Sequence, residues 1–266
     1  MVERADVLSA VLSDLAAEGA WLDGVVSPLD EAAWRRPTPA PGWTIAHQIG
    51  HLTSSDEYAL TAATDPAAFA ATFERMRTGE LTVDAAAADR AALPPADLLR
   101  RWRDGRDELA AALAAVPDGT RLPWFGPPMS AASMATARLM ETWAHGDDVA
   151  RALGVPHPAT DGLRHIAHLA VRTRDFAFTL HGLTPPAEAF RVRLTGPGGA
   201  VWAWGPDDAA QRVEGSAVDF CLLATQRVHR LDTDLAATGP EANRWLDIVQ
   251  AYVGAPGAGR EPSRPA

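Results

Sequence analysis

The 266-residue sequence contains no lysine and a single cysteine, Cys221, so its 24 basic residues are all arginine. One cysteine cannot form an intramolecular disulfide, and zinc sites built from several cysteines are excluded. Any metal site in this chain must therefore use histidine, aspartate and glutamate. The formal net charge of −10 argues against nucleic acid as a partner, because phosphate binding needs a basic face.

Long apolar runs are also missing from the sequence. No stretch approaches the roughly 20 apolar residues that a membrane-spanning helix needs. The segment 1–22 carries acidic side chains throughout, unlike the uncharged core of a secretory signal. We therefore expect a cytoplasmic protein without a membrane partner, and the length allows one large or two smaller domains.

Apolar residues at helical spacing predict four long helices in the first 155 residues. The predicted helices cover residues 6–27, 44–63, 96–116 and 130–153. Thr44 is the predicted N-cap of the second helix, and Gly154 marks the end of the fourth. The Ala-rich stretch 66–92 is weakly patterned and predicts a short helix and a connection. A four-helix bundle over 1–156 is the economical fold.

The sequence pattern changes in the second half of the chain. Apolar and polar residues alternate as in β-strands around 190–194 and 200–205, with a third candidate strand at 211–214. Predicted helices cover residues 160–181, 216–228 and 240–253. We therefore predict a mainly α protein, with a small α+β domain over 157–255 after the bundle. The tail, 256–266, lacks apolar residues and is predicted to be disordered.

Histidine and glutamate residues occur at a spacing that suits a metal site. His47 and His51 lie four residues apart on the second predicted helix, and Glu141 and His145 have the same spacing on the fourth. Each pair therefore shares one helix face. If the two helices face each other, the side chains converge as in metal-binding bundles. Two imidazoles and a carboxylate suit Zn²⁺ or Fe²⁺, although spacing alone leaves ordinary surface or core roles open.

Two segments together carry a family resemblance. GWTIAHQIGHL at 42–52 and ETWAHGDDV at 141–149 resemble the DinB/YfiT-like superfamily, and more closely its mycothiol-dependent maleylpyruvate isomerase family. The resemblance implies that His51, Glu141 and His145 bind a divalent metal. We expect zinc, with iron or nickel as the alternatives. Segments 215–230 and 237–254 resemble the small α+β domain of that family, so the similarity covers nearly the whole chain.

The resemblance also implies an activity. It predicts an enzyme that uses a low-molecular-weight thiol, mycothiol, as cosubstrate on the metal, and that isomerises a small electrophile or transfers the thiol to it. Two alternatives stay open. The same ligands could serve a metal-dependent hydrolase or an Fe(II) enzyme, or the chain could be a non-catalytic metal- or ligand-binding protein. A monomer or homodimer is expected.

Four further residues are candidates for the site. We interpret His47 as a catalytic-site residue that contacts substrate, and Trp43 as a contact for the thiol. Arg227 is predicted to hold an anionic substrate and Arg230 the cosubstrate, since guanidinium groups suit carboxylates. Ordinary roles are the competing interpretation: helix-face position for His47, core packing for Trp43, and an exposed basic helix end for the two arginines.

Overall fold

The structure, a computed structural model, describes residues 2–257 and 259–263. It divides into two compact units, with the boundary between His157 and Pro158. The described residues are mainly helical with one four-stranded sheet, which confirms the predicted fold class. Across them, every helix is too short or too polar to cross a bilayer. The predicted disordered tail, 256–266, lies partly outside the described residues, at 258 and 264–266.

The first unit is built from helices, four of them long. Its helices are α1 (Val2–Val26), α2 (Glu31–Trp34), α3 (Ile45–Thr64), α4 (Pro66–Arg77), α5 (Val83–Ala91), α6 (Pro95–Ala114) and α7 (Ala131–Leu153). The long helices α1, α3, α6 and α7 correspond to the four predicted ones. The stretch 66–92 forms two helices rather than the predicted one, because Asp65 and Thr82 each cap a separate helix start.

Helix α3 is at the centre of this unit, where it packs against α5, α6 and α7. Its residues Ile45 and Ile49 are fully buried, in one core with Trp102 of α6. Gly50 allows α5 to approach closely, because a Cβ atom there would lie 2.6 Å from the backbone oxygen of Ala87. The buried face of α3 carries polar side chains as well as apolar ones, among them Gln48 and Thr53.

The second unit combines short helices with the sheet. Its elements are α8 (Leu163–Arg172), α9 (Arg174–Leu180), β1 (Phe190–Thr195), β2 (Val201–Trp204), β3 (Gln211–Ser216), α10 (Ala217–Ala224), β4 (Ala236–Thr238) and α11 (Pro240–Ile248). The strand order is β2-β1-β3-β4, with β1 and β3 parallel and the outer pairs antiparallel. The inward residues Phe190, Val192 and Leu194 of β1 alternate with outward ones, as their sequence predicts.

Three features of this unit differ from the sequence prediction. The single helix predicted over 160–181 is two helices, α8 and α9, because the Thr173 hydroxyl lies 3.0 Å from the carbonyl oxygen of Leu169 and 3.1 Å from that of Gln250. Such bonding of a threonine to the preceding turn bends helices. Helices α10 and α11 end earlier than predicted. Strand β4 was not predicted, since three residues are too few to show an alternating pattern.

Candidate metal centre

Helices α3 and α7 bring His51, Glu141 and His145 together. The Nε2 atoms of His51 and His145 lie 3.3 and 3.2 Å from the same carboxylate oxygen, Oε2 of Glu141. One ligand atom from each of the three residues lies within 4.8 Å of the others, and no other group of three such side chains occurs among the described residues. Two imidazole nitrogens and a carboxylate oxygen at this spacing fit a divalent metal ion.

The charge of Glu141 suits it to ligation. Burial raises the pKa of this carboxyl. Hydrogen bonds from His145 and His51, together with the charge of Arg138, lower it by more than burial raises it, so the net pKa is well below its usual range. Glu141 is therefore ionised at neutral pH. An ionised carboxylate is the form that binds metal.

Gln48 fixes the orientation of His145. This glutamine is fully buried, and its Oε1 accepts a hydrogen bond from Nδ1 of His145. Its Nε2 donates to the Thr38 hydroxyl at 2.8 Å, and that hydroxyl donates to the carbonyl of Trp43 at 3.0 Å. Because Gln48 holds the proton of Nδ1, Nε2 is the nitrogen of His145 that is left to bind a metal ion. Gln48 was not among the predicted site residues, although its position three residues before His51 places it on the same helix face.

Trp43 lies over both histidines. Its ring centre is 5.4 Å from that of His51 and 5.8 Å from that of His145, and the His145 ring is nearly parallel to it, at 18°. The indole nitrogen donates a hydrogen bond of 3.0 Å to Asp84 in the first turn of α5. The structure therefore places Trp43 against the candidate ligands, as a wall on one side of them.

His47 lies outside the group of three. Its Nδ1 accepts a hydrogen bond from the backbone N–H of Thr44 at 3.3 Å and lies 2.8 Å from the Thr44 hydroxyl. The side chain thus closes the N-terminal turn of α3, with its ring centre 6.4 Å from that of Trp43. Since Nδ1 acts as the acceptor, the neutral ring carries its proton on Nε2.

Arg227 and Arg230 both lie in the second unit, after the end of α10. Arg227 donates to the carbonyl of Thr225 at 2.7 Å. Arg230 donates to the carbonyl and side-chain oxygens of Asn243, both at 2.8 Å, and to Asp247 at 2.5 Å. The Arg230 bonds hold the turn after α10 against α11, whereas the Arg227 bond stays within that turn. The predicted contacts of both arginines with substrate and thiol stay predictions.

Two buried charged residues near the candidate ligands were not predicted. Arg138, one turn before Glu141 on α7, is 3% exposed, and Asp56 on α3 is 5% exposed. Burial raises the pKa of Asp56 to about 7, and the charges of Arg138 and Arg106 oppose that rise only in part. No sequence pattern distinguishes these residues from the charged residues on the helix surfaces.

Known proteins match both parts of the chain. A family described as the mycothiol maleylpyruvate isomerase N-terminal domain matches residues 15–150, and one described as wyosine base formation matches residues 186–238, a span that contains all four strands. The uncharacterized protein Rv0036c of Mycobacterium tuberculosis is 60% identical over 250 residues, covering 94% of this chain and 97% of that protein. The uncharacterized protein MT0041 of a second strain of that species matches equally.

Solved structures also resemble this chain. The crystal structure of the mycothiol-dependent maleylpyruvate isomerase has a TM-score of 0.58 and 18% sequence identity, and the match covers 88% of this chain and 95% of that one. A histidine-to-alanine mutant of that enzyme gives the same values. At this identity the structural match shows a shared fold.

Proposed function

This chain belongs to the mycothiol maleylpyruvate isomerase family, and we propose on that premise that it is a metal- and thiol-dependent enzyme. The proposed reaction is isomerisation of a small electrophilic substrate, or transfer of the thiol to it, with mycothiol as the cosubstrate. One observation carries this proposal: His51, Glu141 and His145 converge from two helices with their ligand atoms within 4.8 Å.

The proposed metal ligands are these three side chains, and zinc is the proposed metal, with iron or nickel as alternatives. Two imidazoles and a carboxylate leave coordination positions for an exogenous ligand. A bound divalent cation would lower the pKa of a coordinated thiol, so that the thiol reacts as a thiolate. The buried thiol of Cys221 does not fit that role, because burial raises its pKa far above neutrality.

The remaining residues are proposed to bind and orient. Gln48 holds the proton of His145 on Nδ1 and thereby keeps Nε2 available as a ligand atom. Trp43 shields one side of the imidazoles from water and offers an apolar face to the thiol. His47, whose neutral ring carries the Nε2 proton, is proposed to donate a hydrogen bond to the substrate. Arg227 is proposed to bind an anionic group of the substrate, and Arg230 one of the thiol.

The test is a turnover assay on the zinc-loaded protein, with maleylpyruvate and a panel of other electrophiles, in the presence and absence of mycothiol. We expect turnover only with the thiol, and its loss together with the bound zinc in a His51→Ala variant. His165→Ala, a histidine substitution in the second unit, is the matched control and retains both.

Three results would contradict the proposal. Turnover without any thiol would favour the hydrolase or Fe(II) alternative. Bound zinc with no turnover across the panel would favour a non-catalytic binding protein. Full zinc content in His51→Ala would place the metal elsewhere.

A further inference from the structure

The two oxygens of the Glu141 carboxylate have different surroundings. Oε2 lies within 3.3 Å of both candidate histidine ligands. Oε1 lies 3.9 Å from Nη2 of Arg138, at ion-pair distance. The carboxylate is thus held between two imidazoles on one side and a guanidinium group on the other.

The burial of Arg138 lowers the stability of the fold. This residue is 3% exposed, and its Nε and Nη1 atoms are buried without a hydrogen-bond partner in the described part of the chain. Its guanidinium carbon lies 5.1 Å from the centre of the Trp124 ring. A buried guanidinium with unfilled hydrogen bonds destabilises a fold unless nearby charge compensates for it. The ionised carboxylate of Glu141, with which Arg138 interacts electrostatically, provides such a charge.

We propose that Arg138 is a positioning residue for Glu141. Its charge attracts Oε1, which restricts rotation of the carboxylate and keeps Oε2 directed between His51 and His145. Partners of a ligating carboxylate commonly set its orientation and the affinity of the metal site. Because this role concerns a ligand of the proposed metal centre, it rests on the proposed function.

The test compares metal binding by the full-length protein and its Arg138→Met variant. Methionine keeps much of the side-chain length and removes the charge. We expect the affinity for zinc, measured by competition with a chelator, to fall by about 10- to 100-fold. We also expect the visible absorption bands of the Co²⁺-substituted protein to change in position or intensity, because the carboxylate is free to rotate. Arg138→Lys keeps the charge and should recover part of the affinity.

Arg151→Met is the matched control. Arg151 lies on the same helix and pairs with Asp147 at 2.6 Å, but its side chain is half exposed. We expect wild-type zinc affinity and wild-type Co²⁺ bands from this control.

A folded Arg138→Met variant with wild-type zinc affinity and wild-type Co²⁺ bands would overturn the assignment. If that variant does not fold, Arg138→Gln, which removes the charge but keeps a polar side chain, decides: lower zinc affinity with changed Co²⁺ bands supports the assignment, and wild-type affinity with unchanged bands refutes it. Failure of the proposed metal centre gives a different result, since the wild-type protein would then bind neither ion. If the wild-type protein binds metal but shows no thiol-dependent turnover, zinc affinity and the Co²⁺ bands still test the role of Arg138.

Discussion

The two units use their polar side chains in different surroundings. In the first, Gln48, Glu141 and His145 lie inside the bundle and bond to one another. In the second, Arg230 bonds to Asp247, a carboxylate whose side chain is 59% exposed. Buried polar groups have no water to replace a lost partner, whereas exposed ion pairs contribute little to stability. Substitutions in the first unit should therefore affect a whole network, and those in the second should act locally.

The largest effect on metal binding is expected from Gln48→Leu, which removes the acceptor for Nδ1–H of His145. Zinc affinity should fall by about 10- to 100-fold, as measured by chelator competition. The free energy of unfolding of the metal-free protein should fall by about 1–3 kcal/mol, because a buried donor loses its partner. Thr38→Val removes the next hydroxyl of the chain but leaves the Gln48–His145 bond, so it should have a smaller effect. Equal zinc affinity in wild type and Gln48→Leu would disprove the orienting role of Gln48.

The next effect is a pH dependence that Asp56 imposes on stability. Its pKa in the folded protein is raised to about 7, whereas an aspartate in an unfolded chain titrates near pH 4. A raised acid pKa means that stability is lost as the pH rises from about 4 through 7. Asp56→Asn should therefore be more stable than wild type at pH 8, by a few kcal/mol at about 1.4 kcal/mol per pKa unit, and less so at pH 5.

Urea denaturation at pH 5 and pH 8 measures this difference. Asp118→Asn, at an exposed aspartate, provides the control for removing one negative charge. A stability difference between Asp56→Asn and wild type that is the same at both pH values would contradict the burial of an ionisable Asp56.

The smallest effect is expected from Arg230→Gln in the second unit. Loss of its bonds to Asn243 and Asp247 should lower the free energy of unfolding by about 0.5–1 kcal/mol, with zinc affinity unchanged. The proposed contact with the thiol adds a several-fold rise in KM for mycothiol at constant kcat. Arg244→Gln, an exposed arginine on α11, is the control. An unchanged KM would contradict the proposed contact with the thiol, and loss of zinc would contradict the local effect expected of this substitution.

The contrast between the units also explains what the sequence can predict. The helical period places Glu141 and His145 on one face, and likewise His47 and His51, but it does not choose among them. The family resemblance selected His51, Glu141 and His145 as the ligands. That period does not extend to Arg227 and Arg230. Helix α10 ends at Ala224, and Gln226 adopts a left-handed backbone with φ 58°. The predicted helix over 216–228 is therefore interrupted just before both arginines.

The sequence did not predict the residues that orient the proposed ligands. Gln48 and Arg138 have polar side chains on amphipathic helices, and such residues usually face solvent. Only the packing of α3 against α7 shows that these two face inward. Trp43 was selected for its position beside the ligand helix. Its location over the histidine rings depends on the loop before α3, where Pro37 pairs with Thr44, and helical periodicity carries no information about such a loop.

The separation of the candidate ligands along the chain has a consequence for the protein's abundance. His51 and Glu141 are 90 residues apart, and an ion held by both would join distant parts of the chain that separate when it unfolds. A ligand at about 100 times its dissociation constant adds about 2.7 kcal/mol to the stability of the state that binds it. The supply of free metal would then set the fraction of chains exposed to proteases, so that metal starvation would deplete the protein itself as well as its loaded form.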